Sequence, residues 1–155
     1  MKKENQAIIV YGTGSGNTEL VADCIAEGME QVGVKTEAVK AEVIGDANRI
    51  QNFDLVVLAC STWNVGHMQP YYYPFYKELV KMRLDGKAMA VVGLGDSENY
   101  DIFCGVVDYL EDAVKKTNGQ QIVPTLKVDG PPHSKLTEYK HWGEKLAQEF
   151  LQNHA

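Results

Sequence analysis

The residues best suited to chemistry lie near the start of the chain, in Tyr11-Gly12-Thr13-Gly14-Ser15-Gly16-Asn17-Thr18-Glu19. An apolar run at 7–10 precedes them. After them Leu20, Val21, Cys24, Ile25, Gly28 and Met29 recur on one helical face. Strand, glycine-rich turn and helix N-terminus, in that order, form an anion site. The first-turn N–H groups have no internal partner, and the helix dipole places partial positive charge there. Glycine lets backbone come close, and Thr13, Ser15 and Thr18 supply hydroxyl donors. The segment holds no Lys or Arg, so it is not a Walker A loop. Asn17 occupies the last place of a Gly-x-Gly-x-x-Gly pattern, so it is not a dinucleotide fingerprint either. The pattern suits one terminal phosphate held by amides and hydroxyls. The plain alternative is a turn in which Asn17 or Thr18 caps the helix.

The elements that must position this loop follow from hydrophobic patterning. Strands are expected at 6–11, 34–40, 54–60, 87–93 and 121–128. Helices are expected at 17–32, 74–82 and 105–117, and from a Ser134 cap to about residue 152. The continuous apolar runs 54–60 and 87–93 read as strands buried on both faces. Residues 34–40 alternate and belong at or near an edge. Pro124 marks its strand as an edge or a bulge. Five strands alternating with helices give a doubly wound α/β sheet with helices on both faces. Ligands in such sheets bind outside the carboxyl ends of the strands, at a topological switch point. The loops after strands one, three and four, at 12–18, 61–73 and 94–103, are the most unusual stretches of the chain.

The second of these loops begins Ser61-Thr62-Trp63-Asn64 and sets a large flat π-face at the mouth of a buried strand. The third runs from Gly93-Leu94-Gly95-Asp96-Ser97 through Tyr100 to Phe103-Cys104-Gly105. A phosphate cradle with two flanking aromatics suits a planar heterocycle bearing one phosphate. Trp63 as a core-edge aromatic is the alternative, and Tyr71, Tyr72 and Tyr73 compete with Tyr100 for the second stacking place. The run Pro70-Tyr71-Tyr72-Tyr73-Pro74 is expected to be extended and packed under its loop, with an exposed aromatic docking patch as the alternative.

Composition narrows the remaining classes. The chain has 155 residues, 45% of them apolar, which fits a single domain with an ordinary core. Its net charge of −6 argues against nucleic acid and anionic membranes and favours basic protein partners. Cys24, Cys60 and Cys104 have no metal-ligand or disulfide spacing and read as buried, reduced thiols of a cytoplasmic protein. No metal site is expected. No segment has the pattern of a signal peptide or a membrane span.

Taken in order, Ser15-Gly16-Asn17-Thr18-Glu19, Ser61-Thr62-Trp63, Gly93-Leu94-Gly95-Asp96-Ser97 and Phe103-Cys104-Gly105 resemble the motifs of the flavodoxins over nearly the whole chain. The resemblance is to the short-chain type, because 121–128 passes directly to Asp129-Gly130-Pro131-Pro132 without an insertion. It implies a three-layer sandwich with strand order 2-1-3-4-5, spanning 1–155, and non-covalently bound flavin mononucleotide (FMN). By the same resemblance Thr13, Gly14, Ser15, Gly16, Asn17 and Thr18 surround the phosphate. Trp63 and Tyr100 cover the two ring faces. Thr62, Asn64, Gly95 and Asp96 contact the polar edge of the ring, and Ser61 and Thr62 the ribityl side. Phe103 and Cys104 complete the third motif. No side chain acts as acid, base or nucleophile. The implied role is a monomeric, low-potential electron carrier between a reductase and an acceptor with basic docking faces.

Three positions depart from the family pattern. Gly14 stands where a hydroxyl residue is common. Asn64 stands where glycine often permits a peptide flip toward flavin N5, so one-electron reduction is expected to be less stabilised. Residues 61–76 carry no Asp, Glu, Lys or Arg, and His67 is their one group titrating near neutrality. The potential is therefore expected to be less depressed than in the most acidic relatives. Two other functions remain open on sequence alone. One is an FMN-dependent NAD(P)H or quinone oxidoreductase. The other is an interaction module whose altered loop has lost flavin.

Overall fold

The computed structural model describes residues 5–13, 15–63, 67–98 and 104–155. Its first half runs β1 (Gln6–Gly12), α1 (Asn17–Gln31), β2 (Lys35–Lys40), a 3₁₀ turn (Ala47–Asn52) and β3 (Leu55–Trp63). A short β4 (His67–Met68), a second 3₁₀ turn (Pro70–Tyr72) and α2 (Tyr73–Leu79) follow. The chain closes with β5 (Ala88–Gly95), α3 (Val106–Lys116), β6 (Gln120–Gln121), β7 (Leu126–Asp129) and α4 (Leu136–Asn153).

The sheet order is β2-β1-β3-β5, with β6 and β7 both pairing parallel to the far side of β5. With β6 and β7 taken as two pieces of a fifth strand, this is the expected 2-1-3-4-5 order. β4 folds back antiparallel on the end of β3, with Trp63 opposite His67. The fifth strand breaks where Pro124 has no N–H to give the ladder. The Gln121 amide spans the break, donating to the Val123 carbonyl at 3.1 Å and to Thr125 Oγ1 at 2.8 Å.

Alternate residues of the central strands feed two cores, as the pleat requires. Ile9, Val57 and Val92 meet α1 and α4 through Val21, Ile25, Leu146 and Phe150. Ile8, Val56, Leu58 and Val91 meet the other face through Ile50, Phe75, Leu79 and Leu110. That face is covered by α2, α3 and the first 3₁₀ turn, for which the sequence offered no helical pattern.

Three local expectations need correction. Neither Asn17 nor Thr18 caps α1; Gly16 takes the cap position in a left-handed conformation, φ 92°. Ser134 does not cap α4, which has Lys135 at its cap position and no side-chain cap bond. Residues 70–72 form a 3₁₀ turn rather than an extended strand, because the Tyr72 hydroxyl is anchored inside on the Val10 carbonyl at 3.1 Å. Pro74 then sits in the first turn of α2, where its missing N–H costs nothing.

α1 and α4 cross at two glycines. A Cβ at Gly28 would overlap the carbonyl oxygen of Lys140, and one at Gly143 would overlap that of Ile25. Both obstacles are backbone and can move only by separating the helices. Gly28→Ala and Gly143→Ala each therefore lower stability by about 1–3 kcal/mol, the range for overpacking a tight interface. Urea unfolding measures this; unchanged midpoints would show that the helices separate freely.

Candidate functional site

β1, β3, β5 and β7 all deliver their carboxyl ends to one edge of the sheet. The chain leaves β1 toward β2 and returns across it to β3, so the crevice between the β1 and β3 loops is the switch point. A cavity of about 210 Å³ lies there. Ser15, Asn17 and Thr18 wall it on the β1 side and Ser61 and Thr62 on the β3 side. Leu94, Gly95 and Asp96 of the β5 loop meet Gly130 and Pro131 to close it.

The first loop is shaped by its own small residues. Gly16 N–H donates to Thr13 Oγ1 at 2.8 Å, so the Thr13 hydroxyl organises the turn. The Tyr11 hydroxyl donates to Glu19 at 3.1 Å. Burial, and then that bond to an anion, push Tyr11 up to about 12, so it stays protonated. A Cβ at Gly12 would stand 2.7 Å from the Tyr72 ring, and the close approach of strand to ring therefore requires glycine. Thr18 is fully buried, and among the described residues its hydroxyl has no hydrogen-bond partner. A buried hydroxyl in that state is costly unless something outside the chain completes it.

The second loop presents Trp63, which is 39% exposed at the end of β3. Its indole N–H donates to Ser61 Oγ at 3.1 Å, and Ser61 Oγ donates to the Gly12 carbonyl at 3.5 Å. This relay ties the indole to the first loop, with the residue part-exposed. Thr62 Oγ1 accepts from Val106 N–H at 3.5 Å, which ties the same loop to the start of α3. The tyrosine run divides: Tyr72 is fully buried as expected, whereas Tyr71 and Tyr73 are exposed, against the expectation of packing. His67, opposite Trp63, joins Met68, Pro70, Tyr73, Tyr76 and Tyr109 around a separate surface pocket.

The third loop is set by a close approach. A Cβ at Gly95 would lie 2.8 Å from Cys104 N. Cys104 itself holds φ 51°, unusual for a residue with a side chain. It stands behind Gly95 and does not line the cavity. Burial pushes its thiol up to about 11, so the nearby helix N-terminus does not activate it.

Thr13, Ser15, Gly16, Asn17, Thr18, Ser61, Thr62, Trp63, Gly95 and Asp96 are thus brought to one crevice or its rim. Gly14, Asn64, Tyr100 and Phe103 lie outside the described residues. Gly130 and Pro131 were missed, although the turn signal Asp129-Gly130-Pro131-Pro132 is plain. The fifth strand ends at the same edge as the first, third and fourth, and that topology was the available clue.

Fold and site together define a class: a doubly wound α/β protein whose switch-point cavity is lined, among the described residues, by hydroxyls and backbone with no Lys or Arg, next to an aromatic side chain. The family model for flavodoxin matches residues 9–142. A flavodoxin from Maridesulfovibrio salexigens is 34% identical over 148 residues, covering 94% of this chain and 99% of that protein. The solved structure of oxidised flavodoxin 2 from Bacillus cereus superposes with a TM-score of 0.87 at 26% identity, covering 94% and 99% of the two chains. A Fusobacterium nucleatum flavodoxin variant, solved with flavin mononucleotide bound, shares the fold at a TM-score of 0.75 and 20% identity, covering 96% of each chain. The chain belongs to the flavodoxin family.

Two predictions follow from the site's chemistry. Thr18→Val replaces a buried, unpaired hydroxyl by a methyl of like shape, so the ligand-free protein becomes more stable by about 1 kcal/mol. A lowered urea midpoint would mean that the hydroxyl is already satisfied. Burial also pushes Cys60 up to about 12. Cys60 and Cys104 therefore keep their protons in the folded state above their ordinary 9.0. The folded form then binds more protons than the unfolded one, and stability falls as pH rises from 9 toward 11. Urea midpoints across that range check the sign; midpoints rising with pH would contradict it.

Proposed function

We infer that this chain is an electron carrier that works on non-covalently bound FMN and passes electrons between partner proteins. The observation that carries the reading is the buried Thr18 hydroxyl, which among the described residues has no partner and lines a cavity without Lys or Arg, beside a part-exposed tryptophan. A phosphate monoester supplies the acceptor that this hydroxyl lacks. The residues present fit the group: hydroxyls and first-turn amides for the phosphate, and Trp63 for a flat ring.

Ser15, Asn17 and Thr18 bind the phosphate with the free N–H groups at the start of α1. Gly16, in its left-handed conformation, lets the backbone turn around it, and Thr13 holds the turn in shape. Ser61 orients the Trp63 indole, which covers one face of the ring and excludes water from it. Thr62, Gly95 and Asp96 border the polar edge together with Asn64, and Tyr100 covers the second ring face, the last two assigned by family position alone. When bound, FMN supplies reversible one- and two-electron chemistry at its ring system. The chain proposes no acid, base or nucleophile of its own. Partners are redox proteins, and their docking faces are basic. Asp96 lines the cavity, Glu98 follows it in sequence and Asp108 stands in the first turn of α3, and this negative charge steers such faces toward the flavin edge. The carrier is a cytoplasmic monomer.

The test is a visible spectrum of the purified protein with FMN, followed by stepwise dithionite reduction and then NAD(P)H. Flavin uptake, reversible reduction and no steady consumption of NAD(P)H are expected. A colourless protein that takes up no FMN would overturn the reading, and sustained NAD(P)H oxidation would make it an enzyme. Thr18→Val lowers FMN affinity about tenfold or more, since it removes a hydrogen bond to a charged group. Unchanged affinity would show that the phosphate lies elsewhere.

A further inference from the structure

We propose that Asp129 is a positioning residue that clamps the loop after β5 onto the cavity by holding Ser97. The inference rests on the FMN reading for its consequence but on the ligand-free geometry for its existence. Asp129 is the last residue of β7 and stands opposite Gly95 in the parallel ladder. Its carboxylate takes two bonds from one residue: Ser97 N–H donates to Oδ1 at 2.9 Å, and Ser97 Oγ donates to Oδ2 at 2.5 Å. Next to this pair, Gly130 N–H donates to the Gly95 carbonyl at 2.8 Å. The two chains are thus pinned twice, once through backbone and once through a charge-assisted pair that fixes direction as well as distance.

Ser97 and Asp129 are both exposed, so neither contributes to a core. What they hold is the loop that supplies Gly95 and Asp96 to one wall of the cavity, and the turn that supplies Gly130 and Pro131 to the adjoining one. The loop is also tied within itself, Glu98 N–H donating to Asp96 Oδ1 at 3.1 Å. From behind, Cys104 limits where Gly95 can go. The bonds from Ser97, side chain before backbone, hold the Asp129 carboxyl below its ordinary range, with a smaller contribution from Lys135. The carboxylate therefore stays charged and available to the pair.

Position and charge can be separated by substitution. Ser97→Ala removes one bond and leaves the charge; Asp129→Asn removes the charge and keeps the shape; Ser97→Thr keeps both bonds. The full chain is studied by amide hydrogen exchange without ligand, then by FMN affinity and midpoint potential. In the ligand-free protein, Ser97→Ala and Asp129→Asn lose exchange protection at 95–98 while α1 and α4 are unaffected, and Ser97→Thr retains it. Both losing variants raise the FMN dissociation constant by about threefold or more, as for a lost hydrogen bond at a solvent-facing position, and both shift the midpoint potential. Unchanged protection at 95–98 in both variants would overturn the clamp. So would an affinity or potential change in Asp129→Asn with none in Ser97→Ala, since Asp129 would then act by charge alone. Failure of the unsubstituted protein to take up FMN would refute the functional reading, and hydrogen exchange would still decide the clamp.

Discussion

Everything at the site depends on the parallel register of three buried strands. β1, β3 and β5 present almost unbroken buried faces, and their ladders align Gly12 with Cys60, Ser61 with Leu94 and Gly95 with Asp129. A slip of one residue in any ladder would turn core side chains toward the wrong layer, so the register is strongly fixed. The same register places four loop origins on one edge. None of those loops builds a site alone. The first has donors but no aromatic surface, the second has the indole, and the third and the β7 turn close the far wall.

The sheet can hold that register because its faces are covered at short range. On one side the two glycines at the α1–α4 crossing let the helices meet backbone to backbone. On the other, the Tyr72 ring fills the space left by Gly12 and anchors its hydroxyl on the Val10 carbonyl of β1. Packing is therefore most exacting directly behind the cradle. The cradle itself is built against stability. Behind its far wall Cys104 adopts a positive φ, and among the described residues the buried Thr18 hydroxyl has no partner. Such features persist where surrounding packing over-determines them, and binding is the usual compensation.

How much of this the sequence disclosed varies with the range of the interaction. The apolar runs 54–60 and 87–93 are long and uninterrupted, so the central strands were legible, and the glycine-rich turn identified the first wall. The end of β3 was shorter in expectation than in fact, because Ser61 continues it through pairing with Leu94 of β5, and Thr62 and Trp63 through pairing with β4, which no local pattern signals. The fifth strand was visible as a strand with a defect at Pro124, but not as two separate pieces. The Ser134 cap did not hold, and the alternative of a cap at Asn17 or Thr18 gives way to Gly16, since backbone conformation and tertiary packing set those boundaries. Asp129, Gly130 and Pro131 escaped because their part in the site is purely topological. The tyrosine run was read as one unit, whereas one hydroxyl bond and a 3₁₀ turn send Tyr72 inward and Tyr71 and Tyr73 outward.

On the proposed reading, hydroxyls and first-turn amides, with no Lys or Arg in the loop, supply most of the hold on the cofactor. Titrating the ligand-free protein with FMN and with riboflavin, which lacks the phosphate, tests this directly. Several hydrogen bonds to a charged group are lost together with the phosphate, so FMN is expected to bind at least about a hundredfold more tightly than riboflavin. Equal affinities would contradict the claim and place the binding energy at the aromatic rim instead.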